Sequence, residues 1–262
     1  MDHAFVVPAY RESAFLKVCI ASLKAQRGPR SAIVLATSTP SPALEWIARD
    51  ERLPLHVNPV RGGIGVDWNF ALAATQAPFV TLAHQDDLFR VDYVERMREA
   101  VSAAPDVLIA FSDYDEIDPA GPRPLHANLR VKRYLTQRAF AGRPSIRDRA
   151  AKRKLLAWGN PVCCPSVVLH RAALPGFRFD ESLRSNLDWE AWLRLAEVSG
   201  SFVHVAQPLV TRRIHPASET TNLIADAGRI AEDRAMFGRL WPGPMAALIS
   251  AVYRASYRAN RT

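Results

Sequence analysis

The chain has 262 residues, 48% of them hydrophobic, and a formal net charge of +8 from 34 basic and 26 acidic side chains. This apolar content excludes global disorder, and the length suffices for one large α/β domain or two small ones. The positive balance favours anionic partners such as nucleotides, membrane surfaces or nucleic acid.

Strand and helix patterns alternate through the first 112 residues. Phe5–Val7 reads as a strand, and Ser13 as the cap of a helix whose apolar face carries Phe15, Leu16, Cys19, Ile20 and Leu23. Ala32–Ala36 is a second strand. Ser41-Pro42 opens a short helix with proline at its first position. Leu55–Val57 is a third strand. Gly62-Gly63-Ile64-Gly65 then turns into a helix through Asn69, Leu72 and Ala73. Those glycines lack the spacing of a dinucleotide fingerprint and read as a tight turn. Phe79–Ala83 is the fourth strand, followed by a helix around Tyr93–Val101 and a strand at Val107–Phe111. Such alternation predicts a mostly parallel sheet with right-handed crossovers.

The fourth strand runs through His84-Gln85 into two adjacent carboxylates, Asp86 and Asp87. Ligands bind at the carboxyl edge of open α/β sheets, and a carboxylate pair there suits a hard divalent cation on a phosphorylated ligand. An Asp that merely caps the following helix is an equal alternative at this point. Beyond the turn Asp118-Pro119-Ala120-Gly121, the stretch from Arg123 to Lys154 carries eleven Lys or Arg and one acid, Asp148. It reads either as a solvated face or as a surface for an anionic acceptor or membrane. Ser166–His170 is a strand, Asp188–Glu197 a helix, and Phe202–Val205 a strand. The three cysteines, Cys19, Cys163 and Cys164, cannot all pair, so a reducing compartment fits and the adjacent pair reads as small buried residues. No signal peptide is expected, and no run approaches the roughly 18 apolar residues needed to span a bilayer.

Five motifs follow one another in order. They are Val7-Pro8-Ala9-Tyr10; Asp67-Trp68-Asn69-Phe70-Ala71-Leu72; His84-Gln85-Asp86-Asp87; Gly176-Phe177-Arg178-Phe179-Asp180-Glu181 with Asn186-Leu187-Asp188-Trp189-Glu190; and Arg213-Ile214-His215-Pro216-Ala217-Ser218-Glu219-Thr220. In order and spacing the set resembles the family-two glycosyltransferases of the GT-A fold, over roughly Phe5 to Thr220. The resemblance implies an α/β fold: a Rossmann-like, nucleotide-sugar-binding, mostly parallel mixed sheet flanked by helices. It assigns residues 1–222 to that domain, 1–112 as the nucleotide-sugar half and 113–222 as the acceptor half, with 223–262 as a helical basic extension.

By the same resemblance, Asp86 is the last carboxylate of the family's Asp-x-Asp triplet, which holds Mg²⁺ or Mn²⁺ on the donor diphosphate. His84 takes the place of the first Asp, a departure that removes one carboxylate. Asp87 supports the site, His215 completes the metal ligands, and Asp188 is the catalytic base. The nucleotide base is expected near Pro8, Ala9, Tyr10 and Glu12, with Asn69 also on the donor side. The family ends its second strand in acids; here Leu35-Ala36-Thr37-Ser38-Thr39 has none, so Thr37 is the expected donor contact through its hydroxyl. Trp189 and Glu190 are placed on the acceptor side, although the residue type itself favours a core position for Trp189. One base without a separate nucleophile implies direct displacement with inversion.

The expected reaction moves a sugar from a nucleotide-diphosphate sugar to a glycan or lipid-linked saccharide. The expected place is the cytoplasm, touching an anionic leaflet through the basic run and through Arg254, Arg258 and Arg261 beside Tyr253 and Tyr257. Three other readings stay open: a sugar-phosphate nucleotidyltransferase, a donor-binding inactive homologue, and a basic nucleic-acid-binding protein. The last is disfavoured, because only Tyr134 and Phe140 interleave the basic run.

Overall fold

The computed structural model describes residues 1–215 and 227–255. The motif residues Pro216 to Thr220, the expected domain boundary at 222, and Tyr257, Arg258 and Arg261 lie outside them.

The first part of the chain is a series of strand–helix units. They are β1 (His3–Pro8), α1 (Leu16–Lys24), β2 (Ala32–Thr37), α2 (Pro42–Asp50), β3 (Leu55–Val57), α3 (Ile64–Ala73) and β4 (Phe79–Leu82). A short β5 (Leu88–Phe89), α4 (Tyr93–Ser102), β6 (Val107–Asp118) and β7 (Gly121–Pro122) follow. The second part holds α5 (Ala127–Phe140), β8 (Ser145–Ile146), α6 (Arg149–Leu156), β9 (Val167–His170), α7 (Leu187–Ala196), β10 (Ser201–Arg213), α8 (Ala227–Gly238) and α9 (Gly243–Ala255).

All strands join one sheet, in the order β3-β2-β1-β4-β9-β6-β10-β5, with β7 on β6 and β8 on β10. The β3-β2-β1-β4 block is parallel throughout. β9 enters antiparallel to both β4 and β6 and so joins that block to the long parallel β6–β10 ladder. Both faces of the sheet are covered, which is why β1 is almost continuously apolar instead of alternating. Its odd residues Phe5 and Val7 pack with Ile20, Leu35 and Met97 on one face. Val6 packs on the other face in the core that contains Trp68, Phe111, Trp189 and Phe237.

Several boundaries differ from the sequence reading. Ser13 does not cap α1: Phe15 holds the cap position without a side-chain bond, and Ser13 Oγ instead accepts from the Phe15 N–H at 3.2 Å, ordering the turn before the helix. Ser41 does cap α2, its Oγ accepting from the Leu44 N–H at 3.2 Å. β6 and β10 reach 12 and 13 residues, far beyond the apolar stretches that announce them. Their distal halves are polar because cross-strand charge pairs, Arg212 with Glu116 among them, replace apolar packing. β10 accommodates Pro208 by register shifts on either side of it, as a residue without an N–H requires.

The basic run is largely neutralised by the protein itself. Arg123 pairs with Glu116 and Asp118, Arg133 with Asp113 and Asp115, Arg147 with Asp106, and Arg149 and Arg153 with Glu197. Lys152 is buried and donates to the Val198 and Gly200 carbonyls. That leaves Arg130, Lys132, Arg138, Arg143 and Lys154 without a carboxylate in ion-pair range among the described residues, a weaker anionic-surface footprint than the composition suggests.

Nor does the C-terminal segment stand off as an extension. The Phe237 and Tyr253 rings pack against Trp189, at centroid distances of 4.9 and 5.8 Å. Glu232 of α8 accepts the backbone N–H groups of Arg184, Ser185 and Asn186, and Asp233 accepts from the Asn186 side chain at 2.8 Å. These bonds pin the loop that leads into α7.

Candidate active site

The carboxyl ends of β1, β2 and β4, the start of α3, the distal parts of β6 and β10, and the start of α7 surround one cavity of about 560 Å³. Its two ends differ in chemistry.

At one end, β1 and β4 are tied together beyond their last residues. Gln85 accepts from the Tyr10 N–H at 3.1 Å and donates to the Tyr10 carbonyl at 3.0 Å. Arg11 adopts a left-handed backbone with φ 55°, and its N–H donates to Thr39 Oγ1 at 2.6 Å. Arg61 Nε donates to the Ser38 carbonyl at 3.1 Å. Asp67, in the first turn of α3, also faces the cavity. Burial raises the pKa of Asp67, a hydrogen bond from Ser38 pulls the other way, and its Oδ1 is covered with no partner among the described residues. Gly63 caps α3 with φ 92°, a conformation that favours glycine. Gly65 lets α3 approach the segment before α7: a Cβ there would lie 2.9 Å from Glu181 Cα.

Past β4, His215 Nε2 lies 3.0 Å from Asp86 Oδ2. Asp87 is buried and accepts from the Arg213 N–H at 2.9 Å. Burial pushes its carboxyl well above the ordinary range. The two Asp side chains therefore divide the work: Asp87 fixes the end of β10, while Asp86 and His215 converge. His84 stacks on Trp68, with ring centroids 5.1 Å apart, and burial lowers its pKa to about 4, so the imidazole is neutral at pH 7.

Among the described residues no group of three or more His, Cys, Asp and Glu side chains could hold a metal ion. Asp86 and His215 nonetheless fit a cation held partly by a substrate. Adjacent ligands of an octahedral ion bound at 2.0–2.1 Å lie about 3 Å apart, and Mg²⁺-type sites use one or two protein ligands plus phosphate oxygens and water.

At the other end, Asp188 opens α7. Its Oδ2 accepts from Asn160 Nδ2 at 2.9 Å and its Oδ1 from the Trp189 N–H at 2.8 Å. Burial raises its pKa, with that backbone bond and the charges of Lys132, Arg229 and Arg212 opposing. A carboxylate with a raised pKa is a stronger base, and each oxygen keeps lone pairs for a further donor. Tyr114, Lys132, Arg212 and Tyr253 complete this end. Cys163 and Cys164 also line it, but burial pushes the Cys163 thiol up to about 12 and raises Cys164 as well, so neither supplies a thiolate.

The cavity gathers Pro8, Tyr10, His84, Asp86, Asp87, Asp188 and His215 from the expected site. It is not lined by the other candidates. Ala9 is buried and its N–H donates to the Ala36 carbonyl, and Glu12 points to solvent. Thr37 is buried, its Oγ1 accepting from the Thr39 N–H. Asn69 is structural: its amide accepts from the Phe179 N–H and donates to the Phe179 carbonyl and to Glu181. Trp189 is fully buried in the core, and Glu190 is taken by Arg194 and Arg239. Asp67, Lys132, Arg212 and Tyr253 were not foreseen. Asp67 stands in a quoted motif, whereas the other three come from segments with no motif of their own.

Comparison with solved structures shows the same architecture. Over 99% of this chain and 76% of the other, the fold matches the mannosyltransferase PcManGT from Pyrobaculum calidifontis in complex with GDP-Man and Mn²⁺, with TM-score 0.65 and 16% identity. S. aureus TarS 1–349 in complex with UDP matches with TM-score 0.61 and 15% identity, over 92% of this chain and 70% of that one. The same TarS fragment with UDP-GlcNAc gives 0.62 and 13%, over 92% and 71%. The fold is therefore that of the GT-A glycosyltransferases. No curated protein matches the chain. The model of the family described as glycosyl transferase family 2 matches residues 4–174, well over half of the sequence. The chain belongs to glycosyl transferase family 2.

Proposed function

We propose that the protein transfers a sugar from a nucleotide-diphosphate donor to a glycan or lipid-linked saccharide, with inversion at the anomeric carbon and a Mn²⁺ or Mg²⁺ ion on the donor diphosphate. The observation that carries this reading is one cavity with the Asp86–His215 pair on its wall and a half-buried carboxylate of raised pKa, Asp188, at one end. The nucleotides named with TarS and PcManGT support a donor of this class.

Ser38, Thr39, Arg61 and Asp67 would receive the nucleoside, and Asp86 and His215 would hold the ion. When bound, such an ion neutralises charge developing on the leaving diphosphate. Arg213, whose Nε donates to the Asp86 carbonyl at 3.0 Å, adds positive charge beside it. Asp188 accepts the proton of the attacking acceptor hydroxyl, and Asn160 holds the carboxylate in place for that task. Among the described residues no second carboxylate stands beside Asp188 on the cavity wall to serve as a covalent nucleophile, which favours one displacement over two.

A thermal-shift and calorimetric screen of UDP-GlcNAc, GDP-Man, UDP and GDP, with and without Mn²⁺, tests the reading. One nucleotide series should stabilise the wild type, and the metal should strengthen it. Asp86→Ala should lose about tenfold or more of that metal-dependent affinity, since one charge-assisted ligand is removed. Unchanged affinity of this variant in Mn²⁺ would remove Asp86 from the metal site. Release of nucleoside diphosphate, not pyrophosphate, separates sugar transfer from nucleotidyl transfer.

A further inference from the structure

Several cations line the cavity wall. At the proposed nucleotide end Arg61 Nε donates to the Ser38 carbonyl, and the Arg11 guanidinium lies over the Tyr10 ring, 5.0 Å from its centroid. Around Asp188 the cations stand beside the proposed base. Lys132 reaches in from α5 and donates to the Tyr114 hydroxyl at 3.0 Å, with no carboxylate in ion-pair range among the described residues. A phenol takes only one of the three N–H donors of an ammonium group. Arg212 has one carboxylate in ion-pair range among the described residues, Glu116 at 3.5 Å, and Glu116 is shared with Arg123 at 3.3 Å and His126 at 2.8 Å. Both cations line the cavity together with Asp188.

Holding two partly buried cations beside a base has a cost. Each loses hydration that a phenol or a shared carboxylate restores incompletely. Neutral saccharide hydroxyls are served equally well by Asn, Gln, Ser or Tyr. Unspent N–H donors on a lysine and an arginine match an oxyanion, which accepts several charge-assisted bonds at once.

Building on the glycosyl-transfer reading, we infer that the acceptor carries an anionic oxygen group, a phosphate or a carboxylate, seated on Lys132 and Arg212 so that its hydroxyl faces Asp188. Binding of the anion orients the nucleophile, and the cations set a preference for charged over neutral acceptors. The alternative use of the same cations is to grip the donor diphosphate, and the two uses separate experimentally.

The full chain is first saturated with Mg²⁺ and UDP or GDP, whichever it binds, so that the nucleotide end is filled. Inorganic phosphate, methyl glucuronide and methyl glucoside are then titrated by calorimetry. One of the two anions should bind and methyl glucoside should not, and which anion binds tells a phosphate-bearing acceptor from a uronate-bearing one. Lys132→Gln should weaken that anion about tenfold, the value of one charge-assisted bond, while nucleotide affinity stays within about twofold. Lys132→Arg should restore the anion. Failure of both anions to bind overturns the inference and leaves nucleotide-sugar transfer standing. Equal loss of anion and nucleotide affinity in Lys132→Gln assigns Lys132 to the donor instead. Anion binding that Lys132→Gln leaves unchanged marks an adventitious site. Absence of nucleotide binding in the wild type defeats the transfer reading itself.

Discussion

The proposed nucleotide end of the cavity is walled by β1, β2, α3 and β4, all within the first 87 residues. The Asp188 end draws Tyr114 from β6, Lys132 from α5, Arg212 from β10 and Tyr253 from α9. The first wall is a row of strand ends, each placed by its own strand–turn–helix unit, and its side chains are fixed by short bonds such as Gln85 to the Tyr10 backbone. The second is an assembly of distant elements with no covalent reason to meet. Binding chemistry at the first wall should therefore be robust to distant changes, whereas chemistry at the second should depend on how the C-terminal helices dock.

The strongest way to break this contrast is Trp189→Ala. Trp189 follows Asp188 directly, is fully buried, and is the surface on which Phe237 and Tyr253 rest. Its removal should cost about 3–5 kcal/mol of stability, read by denaturant unfolding. In the folded fraction, nucleotide affinity should survive better than transfer. An equal fall of both would mean that the two walls are not separable.

Asp188→Asn probes the second wall alone. Nucleotide affinity should hold, while transfer falls by roughly 10²-fold or more, as for loss of a general base. The pH profile sharpens the point. Burial raises the Asp188 pKa, and in the proposed reaction transfer requires the ionised form. The wild-type rate should therefore fall on acidification through a value above the usual Asp range, and the variant's residual rate should lack that limb. A variant within about threefold of wild type would remove Asp188 from the chemistry.

The smallest effect belongs to the seam between the walls. Asn69 on α3 bonds both backbone groups of Phe179, which lies in the segment leading to α7. Asn69→Ala leaves these groups buried and unpaired, at about 1–3 kcal/mol. It should lower stability without changing which nucleotide binds. A switch in nucleotide preference would instead return Asn69 to the donor site.

The strand–helix order of the first 112 residues, the turn at Gly63, and the delivery of Asp86 and Asp87 to a strand end were legible in the sequence, because local periodicity and backbone preference dictate them. So was Asp188 at the start of a helix. The division of labour between Asp86 and Asp87 was expected from the family resemblance alone, since nothing in their local sequence separates them: Asp86 meets His215, and Asp87 is buried under the Arg213 N–H. The direction of other motif side chains was not legible. Asn69 sits within a motif that suggested donor contact, yet the packing of α3 turns it inward. The eleven basic residues between Arg123 and Lys154 read as one charged surface, but their acids arrive from β6, from the turn before it and from the end of α7, far away along the chain. Which side chain faces a cavity, and which cation finds an anion, depends on contacts between remote segments. Those contacts form only when the whole sheet and its helices close, so tertiary structure alone placed Lys132, Arg212 and Tyr253 around the base.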